Sequence, residues 1–122
     1  MKTENKILEL SFEFSLNIIE LYKQLVAHKE FVLSKQLLRC GTSIGANIEE
    51  AMAAQSKREF IAKMSISSKE ARECRYWLRL LNKSKLVEID VSNYLIKIEH
   101  IINILIKIIK TSQESLQKLP IQ

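Results

Sequence analysis

The most regular helical pattern in this sequence lies at residues 94–109, which read YLIKIEHIINILIKII. Eleven of these 16 residues are apolar. One helical seam holds Leu95, Ile98, Ile102, Leu105 and Ile109, and a second holds Ile101, Ile104 and Ile108. A surface helix of a small monomer needs an apolar arc of only about 100° or somewhat more. We therefore expect a long helix whose second seam is covered by a neighbouring subunit.

Apolar residues at helical spacing predict three further helices upstream, at about residues 5–26, 32–54 and 57–82, and extend the last helix to about 91–116. The first seam comprises Ile7, Ser11, Phe14, Ile18, Leu21 and Leu25. The second comprises Leu37, Gly41, Ile44, Ile48 and Ala51, and the third comprises Phe60, Met64, Ser67, Ala71, Cys74, Leu78 and Leu81. Short connections favour antiparallel neighbours, so the sequence predicts one all-α domain over residues 1–122, an up-down-up-down four-helix bundle.

Local signals sharpen this prediction at three places. Gly41 and Gly45 lie on one helix face, where each costs about 0.5–1 kcal/mol relative to alanine, so we expect them to admit a closely packed neighbour. Ser56 and Glu59 form a predicted capping box, in which the hydroxyl accepts from the Glu59 amide and the carboxylate accepts from the Ser56 amide. Asp90 is the predicted cap of the last helix.

Composition excludes several other classes of protein. The chain has 122 residues, 47% of them apolar, with only two glycines and one proline, which argues against an all-β fold. No apolar run approaches the ~18 residues that a membrane helix needs, and the first residues lead into no signal-peptide core. Two cysteines at unrelated positions suggest reduced thiols. These features predict a cytoplasmic protein.

Patterns typical of enzymes and metalloproteins are missing from the sequence. Bundle metal sites use Glu-x-x-His pairs, whereas the residue three before His100 is a lysine. Cys40 and Cys74 fall on or beside apolar seams and are interpreted as small core residues. Asn47 shares a face with Ser43 and Glu50, which favours a structural hydrogen-bonded cluster over a catalytic carboxylate pair. We expect no catalytic residue, cofactor or metal.

Charge is concentrated in the third predicted helix. Residues 57–85 contain nine basic and three acidic side chains, a net charge of +6, while the whole chain carries +5. At 100° per residue, Lys69, Arg72, Arg79 and Lys83 fall within an arc of about 80° together with Tyr76, and Arg75 lies at its edge. We call these five cations the basic ridge and predict that they bind nucleic acid. Two other interpretations of the ridge remain open. It is a solvated helix face with pairs such as Glu59–Lys63, or it binds an acidic protein partner. Trp77 is interpreted as packing rather than as a base-stacking platform.

Three segments resemble a known bacterial family. They are residues 36–51 (QLLRCGTSIGANIEEA), residues 56–60 (SKREF) and residues 68–81, which run from SKEARE to YWLRLL. They are similar to the four helix bundle proteins encoded by intervening sequences in bacterial 23S ribosomal RNA genes, over about residues 5–112. The family usually has serine where this chain has Cys40.

The resemblance implies a four-helix bundle that assembles as a ring-shaped homo-oligomer, typically a pentamer. It also implies a relation to the accessory protein of diversity-generating retroelements, a basic barrel that binds nucleic acid and its reverse transcriptase. The family has no established enzymatic activity or cofactor. We therefore expect a non-catalytic oligomeric scaffold that binds RNA. The first alternative is an interaction module that recruits a reverse transcriptase or a ribosomal component without contacting nucleic acid, and the second is a hydrolase of unknown type.

Overall fold

The computed structural model describes residues 2–118 as four α-helices, with no strand in that part of the chain. The helices are α1 (Lys2–Ala27), α2 (Leu33–Met52), α3 (Lys57–Ser84) and α4 (Ser92–Gln117). Each begins and ends within three residues of the position expected from the apolar spacing. No helix among these residues is both long and apolar enough to span a membrane.

The four helices share one apolar core. α1 and α3 each pack against both α2 and α4, and the diagonal pairs make no close backbone contact in residues 2–118. All six residues of the predicted α1 seam are buried, as are all five of the predicted α2 seam. The α3 seam is buried except for Phe60, which is half-buried and packs against the core. The periodic pattern therefore identified the inward face of these three helices correctly.

The second seam of α4 differs from the sequence-based expectation. Ile101, Ile104 and Ile108 are only 1%, 9% and 6% exposed within the single chain. Because α4 packs against both α1 and α3, it buries a wider arc than one seam provides. The prediction that a neighbouring subunit must cover these three isoleucines is therefore wrong. The exposed apolar residues of α4 are instead Ile96 and Ile106.

Glu30 forms the start of α2 in a way that the sequence pattern did not indicate. The chain turns after α1 through Lys29, which has a left-handed φ of 63°. The Glu30 carboxylate then accepts hydrogen bonds from the amides of Val32 (3.0 Å), Leu33 (3.0 Å) and Ser34 (2.7 Å). These amides have no partner within the helix, and an anion at a helix N-terminus is stabilised by the helix dipole. Glu30 thus replaces a conventional N-cap side chain.

The caps of α3 and α4 follow the prediction in part. The Ser56 hydroxyl accepts from the Glu59 amide at 3.0 Å, as expected, but the Glu59 carboxylate accepts from the Gln55 amide at 3.2 Å rather than from that of Ser56. Asp90 precedes the N-cap position and accepts from the amide (3.0 Å) and hydroxyl (2.5 Å) of Ser92. Both hydrogen bonds lower the pKa of Asp90, and the bond from the Ser92 hydroxyl has the larger effect.

Glycine in α2 permits a close approach of α1. A Cβ atom at Gly41 would lie 2.7 Å and 2.8 Å from the two γ-carbons of Ile18 and 3.1 Å from its Cβ. A Cβ at Gly45 would lie 3.4 Å from the Ser11 carbonyl oxygen and 3.4 Å from the Ser15 hydroxyl, which is ordinary van der Waals distance. Only Gly41 is therefore required by packing, because β-branched Ile18 has little freedom to move away.

Replacement of the two glycines by alanine should separate these environments. In Gly41→Ala we expect overpacking, partly offset by the better helix propensity of alanine, to lower the free energy of unfolding by about 1–2 kcal/mol. Gly45→Ala is the matched control and should leave stability unchanged or raise it slightly. Urea unfolding followed by circular dichroism measures both. Equal effects of the two substitutions, or a stabilised Gly41→Ala variant, would contradict the close approach.

Candidate nucleic-acid interface

The basic ridge lies on the outward face of α3. Lys69, Arg72, Arg79 and Lys83 are exposed, and none forms an ion pair with any residue in the described range 2–118. Four cations on one helix face without carboxylate partners produce a positive potential that attracts polyanions. The structure thus presents four of the five predicted ridge residues to solvent with their charge uncompensated.

Arg75 differs from the other four ridge residues. It is half-buried, and its Nη1 donates to both carboxylate oxygens of Glu99 on α4, at 2.8 Å and 3.1 Å. This ion pair links α3 to α4 and neutralises the Arg75 charge. Arg75 therefore borders the ridge as a fixed, paired group, and Lys69, Arg72, Arg79 and Lys83 supply its net positive charge.

Two aromatic residues adjoin the ridge and have different environments. Tyr76 is exposed and contacts the ring of Trp77 edge to face, with a centroid distance of 5.2 Å and an interplanar angle of 70°. Trp77 is half-buried against the core and its Nε1 donates to Glu73 at 3.1 Å. The indole is thus held by packing and by a hydrogen bond, in accord with its interpretation as a packing residue. Tyr76 is the aromatic ring available at the surface.

Two of the three acidic residues of α3, Glu70 and Glu73, pair with α2 rather than with the ridge. Arg39 on α2 forms ion pairs with Glu70, at 3.1 Å, and with Glu73. Burial lowers the pKa of Arg39, but the attraction of Glu73 and Glu70 outweighs that effect and the net shift is upward. Lys63 of α3 pairs with Glu50 of α2 at 2.7 Å and not with Glu59 of its own helix. Cross-helix pairing therefore occupies carboxylates that would otherwise screen the ridge.

Sequence reasoning missed the Arg39 cluster. Glu70 and Glu73 are spaced three apart, which places both on one side of α3, and this spacing was the available signal. Their partner is 31 to 34 residues away in the chain, so the pairing depends on how α2 and α3 are aligned. The predicted Glu59–Lys63 pair assumed contacts within one helix, and the structure replaces it with a contact between helices.

The other candidate chemistry of the sequence is structural in this fold. Asn47 donates to the carbonyl (2.9 Å) and hydroxyl (3.1 Å) oxygens of Ser43, which satisfies its amide locally. Cys40 and Cys74 are unpaired thiols buried in the core, and contact with Cys40, together with desolvation, raises the pKa of Cys74. A buried thiol with a raised pKa is a poor nucleophile. Residues 2–118 contain no group of three or more His, Cys, Asp or Glu side chains placed to hold a metal ion.

Comparison with known proteins now gives the chain its family. The family model described as "23S rRNA-intervening sequence protein" matches residues 3–107, nearly the whole chain. The chain belongs to the 23S rRNA-intervening sequence protein family. The resemblance found in the sequence is therefore confirmed. No curated protein matches the chain significantly.

A solved structure of similar sequence has the same fold as this chain. It is the crystal structure of a protein with unknown function from the S23 ribosomal protein family of Bacteroides thetaiotaomicron, which is 46% identical to this chain. The match covers 88% of this chain and 98% of that one, with a TM-score of 0.84. In the present chain, two of the segments that carried the resemblance to this family meet in space, because Arg39 in the first forms ion pairs with Glu70 and Glu73 in the last.

Proposed function

We propose that this protein is a non-catalytic scaffold that binds RNA through the basic ridge of α3. The observation that carries the proposal is the exposure of Lys69, Arg72, Arg79 and Lys83 without carboxylate partners in the described residues. Lysine and arginine contacts to phosphate supply most non-specific affinity for nucleic acid. The family takes its name from sequences within 23S rRNA genes, which supports an RNA ligand over other polyanions.

The ridge belongs, in this proposal, to an up-down-up-down four-helix bundle. Contacts between α2 and α3 support that topology, because Arg39 pairs with Glu73, Ile44 with Ser67 and Glu50 with Lys63, in opposite chain order. Across α3 and α4, Lys57 bonds Ser115 while Arg75 bonds Glu99, again in opposite order. Both helix pairs thus have antiparallel contacts, which supports the proposed topology.

The proposed assembly is a ring-shaped cytoplasmic homo-oligomer, with five copies as the expected number. Phe12, Leu16 and Ile19 form an exposed apolar stripe on α1, at the i, i+4, i+7 spacing of one helix face. Ile66 and Leu80 on α3 are exposed apolar residues outside that stripe. A ring is built from contacts between two different patches of each subunit, so separate apolar patches support this assembly.

Light scattering of the purified protein at micromolar concentration tests the assembly. We expect a mass that is a multiple of 14.2 kDa, with five copies as the most direct expectation. Leu16→Glu places a charge in the middle of the α1 stripe and should reduce the assembly to smaller species, while Glu9→Gln, on an exposed part of the same helix, should not. A wild-type protein that runs as a clean 14.2 kDa species would refute the ring.

Binding of RNA is tested by fluorescence anisotropy with a labelled fragment of 23S rRNA over a salt series. We expect the affinity to fall steeply with salt, with a log–log slope of about −0.7 for each phosphate of a single strand that is neutralised. Arg72→Glu combined with Arg79→Glu should abolish binding and leave folding intact, because both side chains are exposed. Sequence preference should be weak, since phosphate contacts carry no base information.

The matched control for charge is Lys35→Glu combined with Lys110→Glu. Both lysines are exposed and lie outside the ridge, so the total charge changes equally while the ridge stays intact. This control should retain most of the affinity. If both double variants lose RNA affinity equally, net charge alone accounts for the binding, and this result would contradict a site on the ridge. Absence of wild-type binding at low salt would favour the alternative of recruiting an acidic protein such as a reverse transcriptase or a ribosomal component.

A further inference from the structure

A groove of about 560 Å³ runs beside the ridge, between α3 and α4. Arg75 and Arg79 line it from α3, and Leu95, Ile96, Glu99, His100 and Asn103 line it from α4. It is shallow and open to solvent, so a ligand would lie along it rather than be enclosed. The groove therefore joins one of the uncompensated ridge cations to a surface of different chemistry.

The wall of the groove on α4 combines apolar and hydrogen-bonding groups. Leu95 is half-buried and Ile96 is 68% exposed, so together they present an aliphatic surface to solvent. Asn103 and His100 are exposed, and their side chains have no hydrogen-bond partner among residues 2–118. The amide of Asn103 carries both donors and an acceptor that are free to bind a ligand.

The α3 side of the groove supplies a single free positive charge. Arg79 is exposed and has no carboxylate partner in the described part of the chain. Arg75 is bonded to Glu99, so that pair is neutral and serves as a fixed wall. A ligand that matches the groove needs one anionic group next to a flat body with hydrogen-bonding edges and an apolar face.

We propose that this groove binds one nucleotide of a single-stranded RNA, with its phosphate on Arg79 and its base against Leu95 and Ile96. Asn103 lies at the polar edge of the base, where an amide pairs with the donor and acceptor groups that bases carry. Unstacked bases of single strands are available for such contacts, whereas those of a duplex are not. This inference rests on the proposed RNA-binding function and adds a base subsite to a ridge that otherwise contacts only phosphates.

An acidic peptide fits the groove less well than a nucleotide does. Its carboxylates would pair with Arg79 and its backbone amides would bond Asn103, but a carboxylate-rich segment offers no flat apolar face to Leu95 and Ile96. A base offers both a hydrogen-bonding edge and such a face. The groove therefore favours RNA over a carboxylate-rich protein segment.

The test compares two ligands that have the same charge. Anisotropy titrations use a short labelled oligouridylate and an abasic ribose-phosphate chain of equal length. We expect wild-type protein to bind the oligouridylate more tightly than the abasic chain. Asn103→Leu should weaken oligouridylate binding by about threefold to tenfold, the worth of one net hydrogen bond. The same variant should bind the abasic chain as wild type does, with an unchanged salt slope.

Asn93→Leu is the matched control, because Asn93 is exposed on the same helix and outside the groove. It should bind both ligands like wild type, and light scattering should show the same assembly for both variants and wild type. Equal wild-type affinity for the two ligands, or an equal loss for both in Asn103→Leu, would overturn the base subsite and leave the ridge proposal standing. If wild type binds neither ligand at low salt, both proposals fail. Asn103-dependent displacement of the RNA by oligoglutamate would assign the groove to an acidic peptide instead.

Discussion

The close approach of α2 to α1 and α3 sets how these two helices pack against it. On one side, the missing Cβ of Gly41 lets α1 pack with Ile18 directly against the α2 backbone. On the other, the buried Ser67 hydroxyl of α3 donates to the Ile44 carbonyl oxygen of α2 at 2.9 Å. A hydroxyl bonded to a helix backbone permits little sliding or rotation of α3, because a displaced hydroxyl would be left buried and unsatisfied. The orientation of α3 follows from that contact.

The orientation of α3 divides its charges between two environments. Glu70 and Glu73 face Arg39 on α2, whose single positive charge is shared between the two carboxylates. Arg72 and Arg79 face outward and have no such partners in the described residues. Exposed ion pairs contribute little to stability, typically about 0–1 kcal/mol. The ion pairs of Arg39 with Glu70 and Glu73 therefore matter for the distribution of charge on α3 more than for the folding free energy. The ridge remains positive because these carboxylates of α3 pair with Arg39 of α2 rather than with the ridge cations.

The sequence predicted the fold more completely than the site. A period near 3.5 identified the helices and most core residues, since a helix that buries one face repeats apolar residues at that spacing. It failed for Ile104 on α4, because a pattern shows how much of a helix is apolar but not how many neighbours cover it. The ridge cations were found from their spacing, whereas the pairing of Arg75 with Glu99 and of Arg39 with Glu73 depends on the alignment of separate helices. Glu30 was missed because it caps α2 from a connection that has no periodicity.

Arginine-selective modification followed by mass spectrometry, with and without RNA, tests the division of charge most directly. The reagent measures, in one sample, how freely each guanidinium reacts. We predict that Arg72 and Arg79 react faster than Arg39 and Arg75 and are protected by RNA, while Arg39 and Arg75 react slowly under both conditions because carboxylates hold them. Equal reactivity of Arg39, Arg72, Arg75 and Arg79 in the free protein, or protection of Arg39 by RNA in place of Arg72 and Arg79, would contradict the account.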